Sequence, residues 1–339
     1  MIPRLDIRFP LKRQWQYWFG KQYEPRKGEY LLNHARTGIV LALRASLPEG
    51  GRVGVVAYNC HTVANAVVNA GCTPIFVDVT KELKIDVATI STDLDAIVVT
   101  NLFGIRNDIS AIRKRCPKAI IIVDNAHGYG LPAEGDFTVY SINQGKFPAL
   151  GEGGILKVAP SISNFRLQFF DLYAKLPAYT ILAQVKLFCS MIMKAIAYSR
   201  CIYRLTRRGK RMRELGSERI REKVVMRKMA PGIRRIYRAW LPYAEAAITA
   251  QRQNAVIMNE RLKESGNECI VGENAFMMVA RTQNPEELKA WFAKQGIETE
   301  THFKHAIDWA KEFGYIPGSC PTAERLTKEL LMIPTYKKI

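Results

Sequence analysis

Between residues 53 and 158 the chain repeats one pattern: a short run of β-branched and aliphatic residues, a polar turn, then a stretch with helical spacing. The apolar runs cover residues 53–58, 74–79, 96–100, 119–123, 137–141 and 154–158. None alternates cleanly with polar residues, as expected for strands covered on both faces. The segments between them, such as residues 62–70 and 108–114, are long enough for crossover helices, so the pattern predicts βαβ units. The fold class is therefore α/β, with three layers (α/β/α) around a mostly parallel sheet. Near the C-terminus, residues 275–281 read as a strand, 285–296 as a helix with Asn284 at its N-cap, and 297–301 as another strand. Three parts are expected: a large α/β domain over 1–160, an apolar and basic helical insertion over 161–240, and a connecting helix with a smaller α/β lobe over 241–339.

Composition sharpens this picture at two places. With 339 residues and 48% apolar side chains the chain can bury a substantial core. Its 50 Lys and Arg against 31 Asp and Glu give a net charge of +19, which favours anionic partners. Much of the surplus lies between Arg200 and Arg238, which hold fifteen Lys or Arg and three Glu. The seven cysteines are scattered without a Cys-x-x-Cys pair, so neither a disulfide framework nor a cysteine metal site is indicated. Arg4, Arg8, Lys12 and Arg13 precede no sustained apolar stretch, which is wrong for a secretory signal and fits a cytoplasmic protein.

In parallel sheets, ligands gather at the carboxyl ends of the strands, where loops and helix starts offer free N–H groups. The polar residues there include Asn59, Cys60 and His61, then Asn101, then Asp124 and His127, then Ser141 and Lys146. Taken singly, each has an ordinary explanation: an aspartate as turn or cap, a lysine as a solvated charge. Together they suggest a carboxylate, an anion site and an amine held at neighbouring strand ends.

The segments 33–43, 58–66, 70–78, 101–104, 123–127 and 141–146, with the glycine cluster at Gly151, Gly153 and Gly154, resemble in order and spacing the DegT/DnrJ/StrS-type sugar aminotransferases. The similarity resumes at 246–248, 301–303, 320–324 and 333–334 and leaves out residues 160–240. It implies the aspartate-aminotransferase fold and pyridoxal 5'-phosphate (PLP) as cofactor. By that resemblance the family's cofactor-bearing lysine falls on Lys146 and its pyridine-binding aspartate on Asp124. Arg36, Thr37 and Ser141 match the phosphate positions. His127 stands where the family usually has glutamine and can still reach the cofactor's ring oxygen. Cys60 stands where an aromatic residue often stacks on the ring, which leaves His61 as the nearest planar candidate. The resemblance also implies a nucleotide-linked keto-sugar as substrate, an amino-acid donor such as glutamate, and a homodimer. The partner-subunit Asn-and-Arg motif is not recognisable before the 246–248 segment, where Gly232, Arg234 and Arg235 lie nearby.

Phosphate-loop, serine-elbow and His-Glu-x-x-His signatures are absent, and no metal site is expected. Residues 176–198 are long and apolar enough to raise the question of a membrane span, but Lys186 and Lys194 interrupt them at about 2.5–3.5 kcal/mol each near a bilayer centre. An interfacial helix inserting Ile181, Leu187, Phe188, Met191 and Ile192 is one reading, with peripheral membrane contact over residues 176–213. Packing on the main domain or across a subunit interface is the other. Nucleic acid is disfavoured, because Tyr203, Tyr237 and Trp240 among the arginines belong to no binding motif. A catalytically silent chain that keeps the fold and binds a membrane or partner through the insertion is the alternative to an enzyme.

Overall fold

The computed structural model describes residues 14–162, 166–197, 220–264, 267–301 and 303–335. The basic residues of the first thirteen positions, His302, Tyr203 and the 200–219 part of the basic stretch lie outside them.

A seven-stranded sheet is built from β1 (Glu29–Leu32), β2 (Arg52–Val56), β3 (Thr73–Val77), β4 (Ala96–Thr100), β5 (Ile120–Asn125), β6 (Phe137–Ser141) and β7 (Gly154–Val158), in the order β1-β7-β6-β5-β4-β2-β3. Strands β3, β2, β4, β5 and β6 run parallel, while β7 and β1 close the edge antiparallel. The six apolar runs become β2 to β7, shifted by a residue or two at their ends. Both faces are covered, which is why the runs lack polar alternation. On one face Val98, Ile122, Val139 and Leu156 pack under helices α1 (Ala35–Ser46) and α2 (His61–Asn69). On the other, Ile97, Val99, Ile121 and Val123 meet Ile112 of α3 (Ile109–Arg115) and residues of the C-terminal lobe.

After β7 come α4 (Arg166–Ala174) and α5 (Ile181–Ala197), and beyond the basic stretch α6 (Pro231–Trp240) and α7 (Ala244–Glu264). The arginines of α6 are not a free basic face. Arg234 donates to the Tyr23 carbonyl, Arg235 to the Gly20 and Tyr17 carbonyls, and Arg238 to that of Gln22, so they hold the N-terminal segment in place.

The smaller lobe has an antiparallel sheet of β8 (Glu268–Val271), β9 (Met277–Arg281) and β10 (Leu330–Pro334), in the order β10-β9-β8. Its helices are α8 (Pro285–Lys294), α9 (Ala306–Lys311) and α10 (Pro321–Glu329). The strand expected at 297–301 does not form. Ile297 and Thr299 turn inward with the right period, but Glu300 meets the ladder in an isolated bridge to Met332 and no continuous strand forms. The third strand is β10. Asn284 occupies the N-cap position of α8, but its amide bonds the Glu287 carboxylate and caps no backbone N–H.

Asp78, buried just past β3, fastens the lobe to the sheet. Its carboxylate accepts from the N–H groups of Thr322 (3.0 Å) and Ala323 (2.8 Å) at the start of α10, where Cys320 provides no side-chain cap. Asp78→Ala is expected to lower unfolding stability by about 2–4 kcal/mol, through a lost cap and two charge-assisted bonds. Denaturant titration checks this; a loss below about 0.5 kcal/mol would show that the cap carries little.

Candidate active site

The parallel register brings the site together. Thr100, the last residue of β4, pairs with Asp124 of β5, and Ser141 at the end of β6 pairs with Gly154 of β7. The loop after β6 then turns Lys146 back over the strand ends. Gly154 is required here: a Cβ would lie 2.3 Å from the His34 carbonyl carbon, so only glycine lets the start of α1 press against β7.

One cavity is lined by Lys146, Asp124, His127, Ser141 and Arg36, with His34, Asn59, Thr100, Asn143 and Phe303. Five of the seven residues singled out from the sequence thus share one space. The other two are placed elsewhere. Thr37 is buried, and its hydroxyl donates to Asn33 Oδ1 at 2.8 Å, one helical step round α1 from Arg36 and away from the cavity. His61, the first residue of α2, faces Trp309 edge-on with ring centres 5.0 Å apart and lines a separate, smaller cavity. No stacking position in the main cavity falls to it. Cys60 and Phe303 line that cavity instead.

Asp124 is 3% exposed. Burial pushes its carboxyl above the usual range; the Ala126 N–H (2.9 Å), the charge Lys146 carries when protonated, and the Thr100 hydroxyl oppose this. A buried carboxylate in this setting is poised to receive a cation.

His127 lies between backbone and amine. The Phe103 N–H donates to its Nδ1 at 3.2 Å, which in a neutral ring assigns the proton to Nε2, 2.7 Å from Lys146 Nζ. In that geometry Lys146 accepts through an amine lone pair, the form a nucleophile or general base requires. From behind, Asn274 donates to the His127 and Tyr129 carbonyls at 2.9 and 3.1 Å and fixes the loop that carries the ring.

The start of α1 offers an anion site. His34, at the N-cap, makes no capping bond to the backbone, and the first turn holds Arg36 and no acid, so N–H groups and dipole are left for a ligand. Asn143 Nδ2 donates to His34 Nδ1 at 3.0 Å, while its Oδ1 accepts from the Gly153 N–H. Burial, reinforced by Arg36, lowers the His34 pKa to about 4, against the Asn143 bond. A neutral histidine in the native state costs stability as the unfolded chain begins to protonate. His34 therefore contributes fully above about pH 6.5, and its contribution is lost as pH falls from 6.5 towards 4, by up to about 3 kcal/mol. His34→Gln is expected to flatten the stability profile over that window; an unchanged slope in urea titrations at pH 7, 6, 5 and 4 contradicts it.

His34 and Asn143 could not be singled out as a pair from sequence, because 109 positions separate them. Asn274 and Phe303 enter from the small lobe, which no local pattern ties to the strand ends. The only signal pointing to Phe303 was the short 301–303 motif.

A parallel sheet with an amine, a buried carboxylate and an uncapped helix start at its carboxyl edge defines a class: α/β proteins built to hold a phosphorylated aromatic cation beside a lysine. The chain belongs to the DegT/DnrJ/EryC1/StrS aminotransferase family, which it matches over residues 31–162 and 212–339. An uncharacterized protein of Methanocaldococcus jannaschii is 25% identical over 94% of this chain and 83% of its own. Among solved structures, DesV of S. venezuelae superposes with a TM-score of 0.71 at 18% identity, over 98% of this chain and 93% of that one. The E coli GDP-4-keto-6-deoxy-D-mannose-3-dehydratase with bound hydrated PLP does so with a TM-score of 0.67 at 17% identity, over 91% and 84%. At these identities the structural likeness establishes the fold, and the chemistry has to be read from the side chains.

Proposed function

We propose that this protein is a PLP-dependent aminotransferase that moves an amino group, with glutamate as donor, onto a nucleotide-linked keto-sugar. It acts as a cytoplasmic homodimer whose product feeds surface polysaccharide or glycolipid synthesis. The observation that carries the reading is the convergence of Lys146, Asp124 and His127 with the uncapped start of α1 on one cavity. A dehydratase on the same fold is the nearest rival. In the related sugar dehydratases the position of Lys146 is usually histidine, so the amine here favours transamination.

The residues present fit the cofactor. Asp124 lacks a permanent cation and is suited to a protonated pyridine nitrogen; Arg36, Ser141 and the first N–H groups of α1 suit a phosphate dianion; Lys146 supplies a primary amine. When bound, PLP supplies an electron sink for the carbon that loses its proton. Asp124 would keep the ring nitrogen of that group positive. Lys146 would anchor the cofactor through its amine and, when that amine is free, would accept a proton at Nζ and give it up again as general base and acid. The His127 Nε2–H directed at Nζ would favour the uncharged amine before the proton is taken and again after it is given up. The pattern of runs along the chain divides it into the parts 1–160, 161–240 and 241–339, and the cavity lining comes from the first and, through Phe303, the last.

Purified protein given PLP is expected to develop a visible absorption band that bleaches with glutamate. The glutamate-treated enzyme, offered a panel of nucleotide-linked keto-sugars, is expected to aminate one of them and recover the band. Protein that stays colourless with excess PLP would mark the chain as a silent relative.

A further inference from the structure

Helix α5 is apolar on two sides. Its inner face, with Leu187, Phe188, Met191 and Ala195, packs against the loop that follows Lys146: Met191 fills the space beside Gly151, and Tyr179, just before the helix, bonds Glu152. Tyr17 donates to the Gln184 carbonyl at 2.9 Å, and the Tyr17 and Trp18 rings lie 5.1 and 5.4 Å from Phe188. Three of the five residues expected to enter a membrane, Leu187, Phe188 and Met191, are therefore committed to the interior. The face opposite them is apolar as well. Leu182, Val185, Cys189, Met193 and Ile196 follow each other at spacings of three and four, a single stripe along the helix. Leu182 and Met193 are 63% and 65% exposed, and Ile181 beside them 78%. Nothing among the described residues covers this stripe.

The charge on the helix is of one sign. Lys186 and Lys194 are exposed on it, and residues 172–197 hold these two and Lys175 and no carboxylate. Trp15 and Phe19, flanking the turn that packs on α5, are themselves exposed. An isologous contact with a second copy would set these lysines against their own symmetry mates with no acid on the helix to offset them. A polyanion such as nucleic acid would leave the apolar stripe without a partner. A surface that is apolar within and anionic above satisfies both. No helix among the described residues is long and apolar enough to cross a membrane, so the contact lies in the plane of the interface.

We infer that the outer face of α5 docks on an anionic lipid bilayer, with Leu182, Val185, Met193 and Ile196 entering the headgroup boundary and Lys186 and Lys194 meeting lipid phosphates. The surface is independent of the chemistry assigned to Lys146, and its test does not pass through activity. Full-length protein is mixed with vesicles of phosphatidylglycerol or of phosphatidylcholine and floated on a density gradient. It is expected to rise with the first, to stay down with the second, and to be released as salt is raised. The exposed-tip variant K186Q/K194Q is expected to bind phosphatidylglycerol about fivefold more weakly for each charge removed. The variant L182S/M193S/I196S is expected to lose flotation while keeping its circular dichroism and its sedimentation coefficient. Three results overturn the proposal: wild type that stays down with phosphatidylglycerol, wild type that floats equally well with phosphatidylcholine, or a serine variant that still floats but sediments as a smaller species. The last would assign the stripe to a second copy.

Discussion

Lys146→Ala is expected to abolish amino transfer and to remove the site of covalent capture. Borohydride treatment of the PLP-loaded wild type should leave a pyridoxyl group on the peptide that contains residue 146, and the variant should carry none. Loss of a positioned general base alone costs about 10²–10⁴ in rate. Loss of the amine that anchors the cofactor adds to this, so turnover should fall below detection. Lys146→Arg should fare no better, because a guanidinium stays protonated and offers no lone pair. Since Lys146 is only partly buried and its Nζ contacts His127 at 2.7 Å, neither change should disturb the fold. Wild-type activity above one tenth in the alanine variant, or a tag on another lysine, would refute the assignment.

The second large effect is expected at Asp124, and it has two opposite readouts. Asp124→Asn keeps the shape and the acceptor for the Ala126 N–H but removes the charge. Without cofactor, the variant should be as stable as wild type or more so, because burial already works against ionisation at this carboxyl. With cofactor, the missing counter-charge should reduce the first half-reaction by roughly 10²–10³-fold, the loss expected when one partner of a buried ion pair is removed. The gain in melting temperature on adding PLP should shrink in parallel. A variant that reacts normally in single-turnover experiments would mean that the ring nitrogen is held by some other group.

What could be read from sequence, and what could not, follows from the range of each interaction. The strand runs were legible because coverage on both faces imposes unbroken apolar stretches, and β4 and β5 carry hardly a polar atom before Thr100 and Asp124. Asp124, Ser141 and Lys146 were legible because they follow such runs, and parallel order sets neighbouring strand ends side by side. Thr37 and His61 fail for a reason of phase. In the first turn of a helix one residue is 100° of rotation, enough to take Thr37 from the cavity to Asn33. The expected strand at 297–301 has the right alternation but pairs in isolated bridges such as Glu300 with Met332, and continuous pairing, not pattern, makes a strand. Helix α5 is the opposite case: apolar on two sides, it gives no hint of which one is buried. Only contacts with Tyr17, Trp18 and Gly151, remote in the sequence, decide that.

The interior that Asp78 and Asn274 stitch together does not stop at the edge of the large sheet. Ile97 and Val99 share one continuous oil-filled volume with Phe103, Phe276, Leu326 and Met332, drawn from both lobes. Each lobe also has a cluster of its own, around Val139 and Leu156 in the large one and Phe292 and Leu331 in the small one, but this shared interior belongs to neither, so the two should melt as one cooperative unit with a single calorimetric endotherm. A chain cut at residue 240 would bare half of that volume to water and precipitate: the lobes divide the shape of the molecule without dividing its folding.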